Sequence, residues 1–415
     1  MYAVIFLLLV FYDLVEMYVP MGNYWDELTA FAVFCWGICS LRRGPKLTRE
    51  ERTNWLLLIF LVVIGALGTL VRPGLQPNPV AWIKDVVALC KFPLIFLVLE
   101  RRTVSRKKQE QIIAGAAKLS RWIVAVTVLA VVLGRFADLG FYTDEIRIVP
   151  TFDFVFSHPT FFISAYVMIA GVLMAESIRK NRVFLWLDCF LLFMAQRTKG
   201  YAFLVLFALI LILGEDRIQR IFAALFGSER EKAKPYRILL ALAAIGLIFV
   251  CVGSSKLQFY LSFGYRSARI AMHLVGIRIL MDFFPLGSGL GTFASYISGE
   301  YYSGIYELYG ISGVHGLTKT EYCFVSDVFW PYIYGQFGIF GFLIYLKQII
   351  GIFFRQYRSG LPNASRIAMV TVWLYALIAS TSEAYFTNGT GVQMALFLTL
   401  ILGYGSRQSA DADKT

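Results

Sequence analysis

Apolar runs punctuate the chain near residues 3–19, 25–41, 55–71, 80–99, 112–134, 159–177, 183–196, 200–214, 238–254, 338–354, 367–384 and 390–405, separated by short polar stretches. Most approach the roughly 20 residues that an α-helix needs to cross a bilayer. The pattern predicts an all-α polytopic membrane protein of about twelve transmembrane helices. Residues 3–19 read as the first span, because no basic region precedes them and no small-residue cleavage site follows. Three regions are expected: 1–254 with the first nine spans, a large non-spanning segment over 255–337, and 338–415 with the last three spans and a tail. The middle segment is too long for a simple connection. Rich in Gly, Tyr and Ser, it is expected to form a cap containing short helices.

Charge fixes the expected orientation. Clusters such as Arg42, Arg43, Lys46, Arg49 and Arg52, then Arg101, Arg102, Arg106, Lys107 and Lys108, follow even-numbered runs, as do Arg355, Arg358 and Arg366. By the positive-inside rule both termini are then cytoplasmic and the large loop lies outside. Composition agrees: 58% of residues are hydrophobic, 16% are charged, and mean hydropathy is +0.65, against about 25% charged in a soluble domain. The net charge of +12 is distributed as topology signals, which argues against nucleic-acid binding. Six cysteines, mostly inside apolar runs, lack metal-ligand spacing and read as structural thiols; no metal or cofactor is expected.

Candidate chemistry sits where charge breaks this order. Arg197 and Lys199 occupy a turn on the side poor in cations, where an arginine needs a compensating partner or an anion. Its planar fork suits phosphate oxygens. In the large loop, Arg266, Arg269 and His273 are spaced to share one helix face, with Arg278 further on. Ile270, Leu274, Ile277 and Met281 line another face, so this helix is amphipathic and could lie along the membrane; a solvated basic face explains the cations equally well. Pro285-Leu-Gly-Ser-Gly-Leu-Gly-Thr-Phe293 follows, but no strand precedes it and no Gly-Lys-Ser/Thr ends it, so it is not a nucleotide loop. Lys91, deep in the fourth run, is an intramembrane lysine whose expected partner is Asp188 or a ligand phosphate. Asp327 is read either as a base or as a helix cap, and His315 either as a second base or as a surface residue. The tyrosines of the loop (296, 301, 302, 306, 309 and 322) suit sugars and the membrane interface alike.

Taken in order, these features resemble the O-antigen ligase and Wzy-type polysaccharide polymerase superfamily of bacterial inner-membrane glycosyltransferases. Gln196-Arg197-Thr198-Lys199-Gly200 resembles the family's Ser-Arg-Gly-like turn. Arg269 stands sixteen residues before Pro285, whose glycine-rich run resembles the family's Pro-x-x-Gly-x-Gly, Gly338-Ile-Phe-Gly341 matches a Gly-x-x-Gly ending, and Phe156-Ser-His-Pro-Thr160 is a looser match. Asp327 stands eleven residues before Gly338, where ligases of the family carry a histidine, which favours a polymerase. The resemblance implies metal-independent transfer of a glycan from an undecaprenyl pyrophosphate-linked donor to a lipid-linked acceptor at the periplasmic face. It casts Arg197 and Arg269, then Arg266, Arg278 and Lys91, as pyrophosphate ligands, and Asp327, with His315 in reserve, as the base. A chain-length regulator is a further partner of such polymerases. The alternatives are a ligase delivering glycan to lipid A core, and a secondary transporter or oligosaccharide flippase.

Overall fold

The computed structural model describes residues 1–19, 22–43, 46–102, 104–146, 148–227, 258 and 261–403. The protein is mostly helical and is a membrane protein. Four helices are long and apolar enough to cross a bilayer: α4 (Arg49–Val71), α6 (Arg106–Leu133), α7 (Pro159–Ser177) and α14 (Trp330–Tyr357). Their starts are written in the sequence. Thr48 and Glu51 form a reciprocal capping box on α4, Ser105 caps α6, and His158 caps α7 ahead of Pro159. Shorter apolar helices are α9 (Thr198–Leu213), α15 (Asn363–Ala379) and α16 (Gly389–Leu396), the last continuing as a wider turn over Phe397–Ile401.

Other runs fold with departures. The first breaks at Phe11 into α1 (Tyr2–Val10) and α2 (Tyr12–Tyr18), and buried Asp13 there accepts hydrogen bonds from the Ser157 amide and hydroxyl, both at 2.6 Å. The second, fourth and seventh form α3 (Trp25–Arg43), α5 (Pro79–Leu99) and α8 (Arg182–Met194). The ninth, 238–254, lies outside the described residues. Two elements were not anticipated. Tyr142–Ile146 (β1) and Pro150–Phe152 (β2) pair antiparallel within the 135–158 loop, and Glu215–Phe226 (α10) is a polar-faced helix after α9. The large loop does contain short helices: α11 (Ala268–Asp282), α12 (Tyr296–Glu300) and α13 (Ile305–Leu308). Its end overlaps α14, which begins at Trp330 and breaks at Gly338, where φ is +60°.

At the centre, α7 packs on α15 and is buried from Phe162 through Ala175. Peripheral α4 instead exposes Leu56, Ile59, Phe60, Val63, Leu67 and Leu70. Outward apolar surface of this kind is stable in lipid and costly in water.

The glycine-rich run is a structural clasp. It threads between α4, α5 and α14 so closely that side chains are excluded. A Cβ on Gly289 would meet the Thr69 amide nitrogen at 2.5 Å and its hydroxyl at 2.6 Å. The exposed polar backbone is then paired inside. The Leu290 amide donates to Thr69 Oγ1 (2.7 Å), the Gly291 amide to Asp85 Oδ2 (2.9 Å), and the Thr292 amide to Gln336 Oε1 (2.9 Å). Gln76 and Gln336 in turn donate to the carbonyls of Gly291 and Phe293, each at 2.9 Å. Such complete pairing is what buried backbone requires.

Candidate active site

Four chain segments distant in sequence converge on one charged cluster. The first is the turn between α8 and α9. Gln196 is buried with φ at +52°, a left-handed conformation uncommon for a residue with a side chain. Its amide group is anchored at both ends, donating to the Phe193 carbonyl (2.9 Å) and accepting from the Ile148 amide (3.1 Å). This tight reversal puts Arg197 at the N-cap of α9 and Lys199 in its first turn. The opening amides of α9 receive no side-chain cap, so the helix end adds positive potential to the two cations.

The second segment opens α11. Arg269 lies in its first turn and reaches Asp327, donating from Nε (3.2 Å) and Nη2 (2.9 Å) to the same oxygen, Oδ2. The third is the turn preceding α14, which carries Asp327. The fourth follows α15 and was missed by sequence reasoning. Glu383, at the end of an apolar run, accepts from Lys199 at 2.8 Å. The Ala384 amide donates to the Ser326 carbonyl at 2.9 Å, tying the Glu383 turn to the Asp327 turn. Nothing short of the three-dimensional arrangement marks Glu383; a lone acid closing an apolar run looks like an interface residue.

The electrostatics are those of a shared, half-sheltered cluster. The side chains of Arg269 and Asp327 are 31% and 26% exposed, those of Lys199 and Glu383 only 9% and 16%. Burial pushes the Asp327 carboxyl above its ordinary value, and the Glu383 charge adds to that, while Arg269 and Lys199 pull it back. Asp153, after β2, is raised to about 6 by burial, with Arg197 opposing. On its other side Arg197 lies 3.0 Å from His158 Nε2, and His158 Nδ1 accepts from the Thr160 amide at 3.2 Å. A neutral ring with Nδ1 accepting carries its proton on Nε2, facing the guanidinium.

Of the residues expected at one site, the structure brings together Arg197, Arg269 and Asp327, with Lys199, and not the rest. Arg266 is exposed on a turn that precedes α11, because Ser267 is extended and starts the helix after it. The three-residue spacing therefore does not put Arg266 on a helix face with Arg269. Arg278 is exposed and stacks over Tyr265 at 5.4 Å. His273 points to Tyr334 (3.3 Å). His315 is 69% exposed and pairs with Glu321 at 3.2 Å, away from the cluster. Lys91 is buried and paired with Asp26 (2.6 Å) and Glu27 (2.5 Å) in the first turn of α3, and not with Asp188. The loop tyrosines are not all interfacial. Tyr306 is fully buried, receives the Ala294 amide, and stacks on Tyr302.

Arg197, Lys199 and Arg269 can hold an oxyanion, and Asp327 can take a proton from a hydroxyl beside it. Among the described residues no group of His, Cys, Asp and Glu is arranged to hold a metal ion. Comparison of the chain with protein families matched no family model, and comparison with characterised proteins found no match.

Proposed function

We propose that this protein is a polysaccharide polymerase of the bacterial inner membrane, spanning it about twelve times with both termini cytoplasmic. It transfers glycan from an undecaprenyl pyrophosphate-linked donor to the sugar hydroxyl of a lipid-linked repeat unit at the periplasmic face. The observation that carries this reading is the direct contact of Arg269 with Asp327 beside the Lys199–Glu383 pair. An anion-binding cation and a candidate base touch each other, although 58 residues separate them in sequence.

In the proposed step the acceptor oxygen bonds to the donor's anomeric carbon as the bond from that carbon to the phosphate oxygen breaks. Undecaprenyl pyrophosphate leaves with the bonding pair, and the hydroxyl proton passes to Asp327. Charge grows on the leaving pyrophosphate, and fixed donors aimed at developing charge lower the barrier. Arg197, Lys199 and the start of α9 fill that role. Arg269 has a second effect. When its guanidinium turns toward the pyrophosphate, Asp327 loses part of the interaction that holds its proton affinity down, and becomes a stronger base as substrate arrives.

The test is glycan profiling in cells lacking the gene, complemented with wild type or Arg269→Ala. Loss of long chains with single repeat units still transferred supports a polymerase that depends on Arg269. Complete polymer retained on the undecaprenyl carrier means a ligase instead. An unchanged profile on deletion removes the enzymatic reading and leaves the transporter.

A further inference from the structure

A second ligand site lies far from the active-site cluster along the chain, at the opposite end of α14. The first turns of α4 and the second half of α14 enclose an open groove of about 1190 Å³. Its wall is graded. Leu57, Leu343, Leu346 and Ile350 line the part nearer the middle of the helices, with Lys347 among them, and Arg49 and Arg358 the part nearer their charged ends. On α14 the lining residues from Leu343 to Arg358 span about 22 Å at 1.5 Å per residue. That length covers one leaflet of hydrocarbon plus its headgroup zone.

The charge left facing this groove is cationic. Of the acids lining it, Glu51 turns inward, accepting from the Thr48 amide at 2.7 Å and facing Arg101 at 4.0 Å. Arg355 is likewise engaged, by Glu100 at 3.0 Å. Arg49, Lys347 and Arg358 are exposed and form no ion pair among the described residues, and Glu50 alone stands against them. Two cations at the helix ends, with a third that can snorkel up from among the leucines, over an apolar trough complement one chemistry, an amphiphile with an anionic phosphate head and an acyl tail.

We infer that this groove binds an anionic phospholipid, the phosphate held by Arg49 and Arg358 and one acyl chain lying along Leu343, Leu346 and Ile350, with the stem of Lys347 beside it and its ammonium turned toward the headgroup. The inference rests on the helices being embedded in a bilayer and is independent of the transfer reaction. Each basic residue near an anionic headgroup contributes about a fivefold gain in binding.

The test is native mass spectrometry of the purified full-length protein titrated with phosphatidylglycerol, phosphatidylcholine or inorganic phosphate. The expected result is retention of phosphatidylglycerol over phosphatidylcholine, with no retention of phosphate alone. Arg49→Gln with Arg358→Gln should cut that retention by about 25-fold, whereas Lys107→Gln, an exposed cation outside the groove, should not. Ile350→Trp, which fills the trough and leaves every charge in place, should also lower it. Equal retention of the two lipids, or retention unchanged in both groove variants, overturns the inference; binding of phosphate alone would show an anion site without a lipid.

Discussion

If the glycine-rich run is a clasp and not a ligand loop, adding one methyl group at Gly289 must destabilise the protein before it affects any chemistry. Its φ of +98° lies outside the regions open to residues with a Cβ, and the new Cβ would approach three Thr69 atoms, two of them backbone, within 2.7 Å. Backbone atoms of a packed helix cannot swing aside, so α4 or the loop must move. Movement strains the hydrogen bond from the Leu290 amide to Thr69 Oγ1. Backbone strain of about 1–3 kcal/mol, overpacking of about 1–3 and about 1 for a weakened buried hydrogen bond sum to roughly 3–7 kcal/mol. Thermal denaturation of Gly289→Ala in detergent should show a midpoint at least about 3 °C below wild type, or no folded protein at all. Gly74→Ala, with no atom within 4 Å of the added Cβ, is the matched control and should melt as wild type does. A Gly289→Ala protein with unchanged melting would refute the clasp; if it had also lost glycan transfer, the run would have to be read as a substrate loop.

Three further outcomes follow from the charge contacts. Asp327 must be ionised to accept a proton and burial raises its pKa, so the rate of glycan transfer should fall with decreasing pH at a higher value than an ordinary carboxylate gives. Arg269→Gln removes a charge that lowers this pKa, and should move that limb to higher pH; a reduced rate with an unmoved limb would confine Arg269 to positioning substrate. Lys199→Met strands the buried Glu383 carboxylate and should cost roughly 3–5 kcal/mol in denaturation. Adding Glu383→Gln should recover most of that stability without restoring transfer, and a double variant no more stable than the single would show that the pair is not coupled. Lys91→Met should destabilise by a similar roughly 3–5 kcal/mol yet leave the affinity for undecaprenyl pyrophosphate, measured by titration calorimetry, unchanged. A selective loss of affinity would return Lys91 to the ligand set.

The helical architecture was legible because lipid leaves a plain record: apolar runs, capped starts and basic clusters survive as helices in the described structure. Arg197 was legible as a cation on the side poor in cations, Arg269 and Asp327 by their spacing from Pro285 and Gly338 in the family resemblance. Their partners were not. Glu383 and the Lys91 carboxylates, Asp26 and Glu27, lie in other helices or turns, and ion pairing across 64 or more residues leaves no local pattern. Arg266 misled for a related reason. Its spacing from Arg269 suits a helix, but whether the helix has begun depends on the conformation of Ser267, which spacing does not reveal. The glycines signalled close approach correctly; what approached, the backbone of Thr69 and Gln336, is a fact of packing.

The contacts of the cluster also account for a protein that holds several cations close together without substrate. A guanidinium or ammonium facing a low-dielectric pocket alone is costly, and proteins compensate it by pairing. Here the compensation comes in units, Lys199 with Glu383 and Arg269 with Asp327, with Asp153 near Arg197. The exposure of the units differs, and that difference assigns them different work. Lys199–Glu383 is nearly closed off, and opening it would strand a carboxylate, so it serves best as a fixed support for the start of α9. Arg269–Asp327 is open to about a third, and its two hydrogen bonds converge on a single oxygen. A pyrophosphate can therefore draw the guanidinium away at smaller cost. Under the proposed reaction, the exchangeable pair is the one containing the base, so arrival of the anion and activation of the base become one event. A rigid Arg269–Asp327 pair, or an exchangeable Lys199–Glu383 pair, would be incompatible with that coupling.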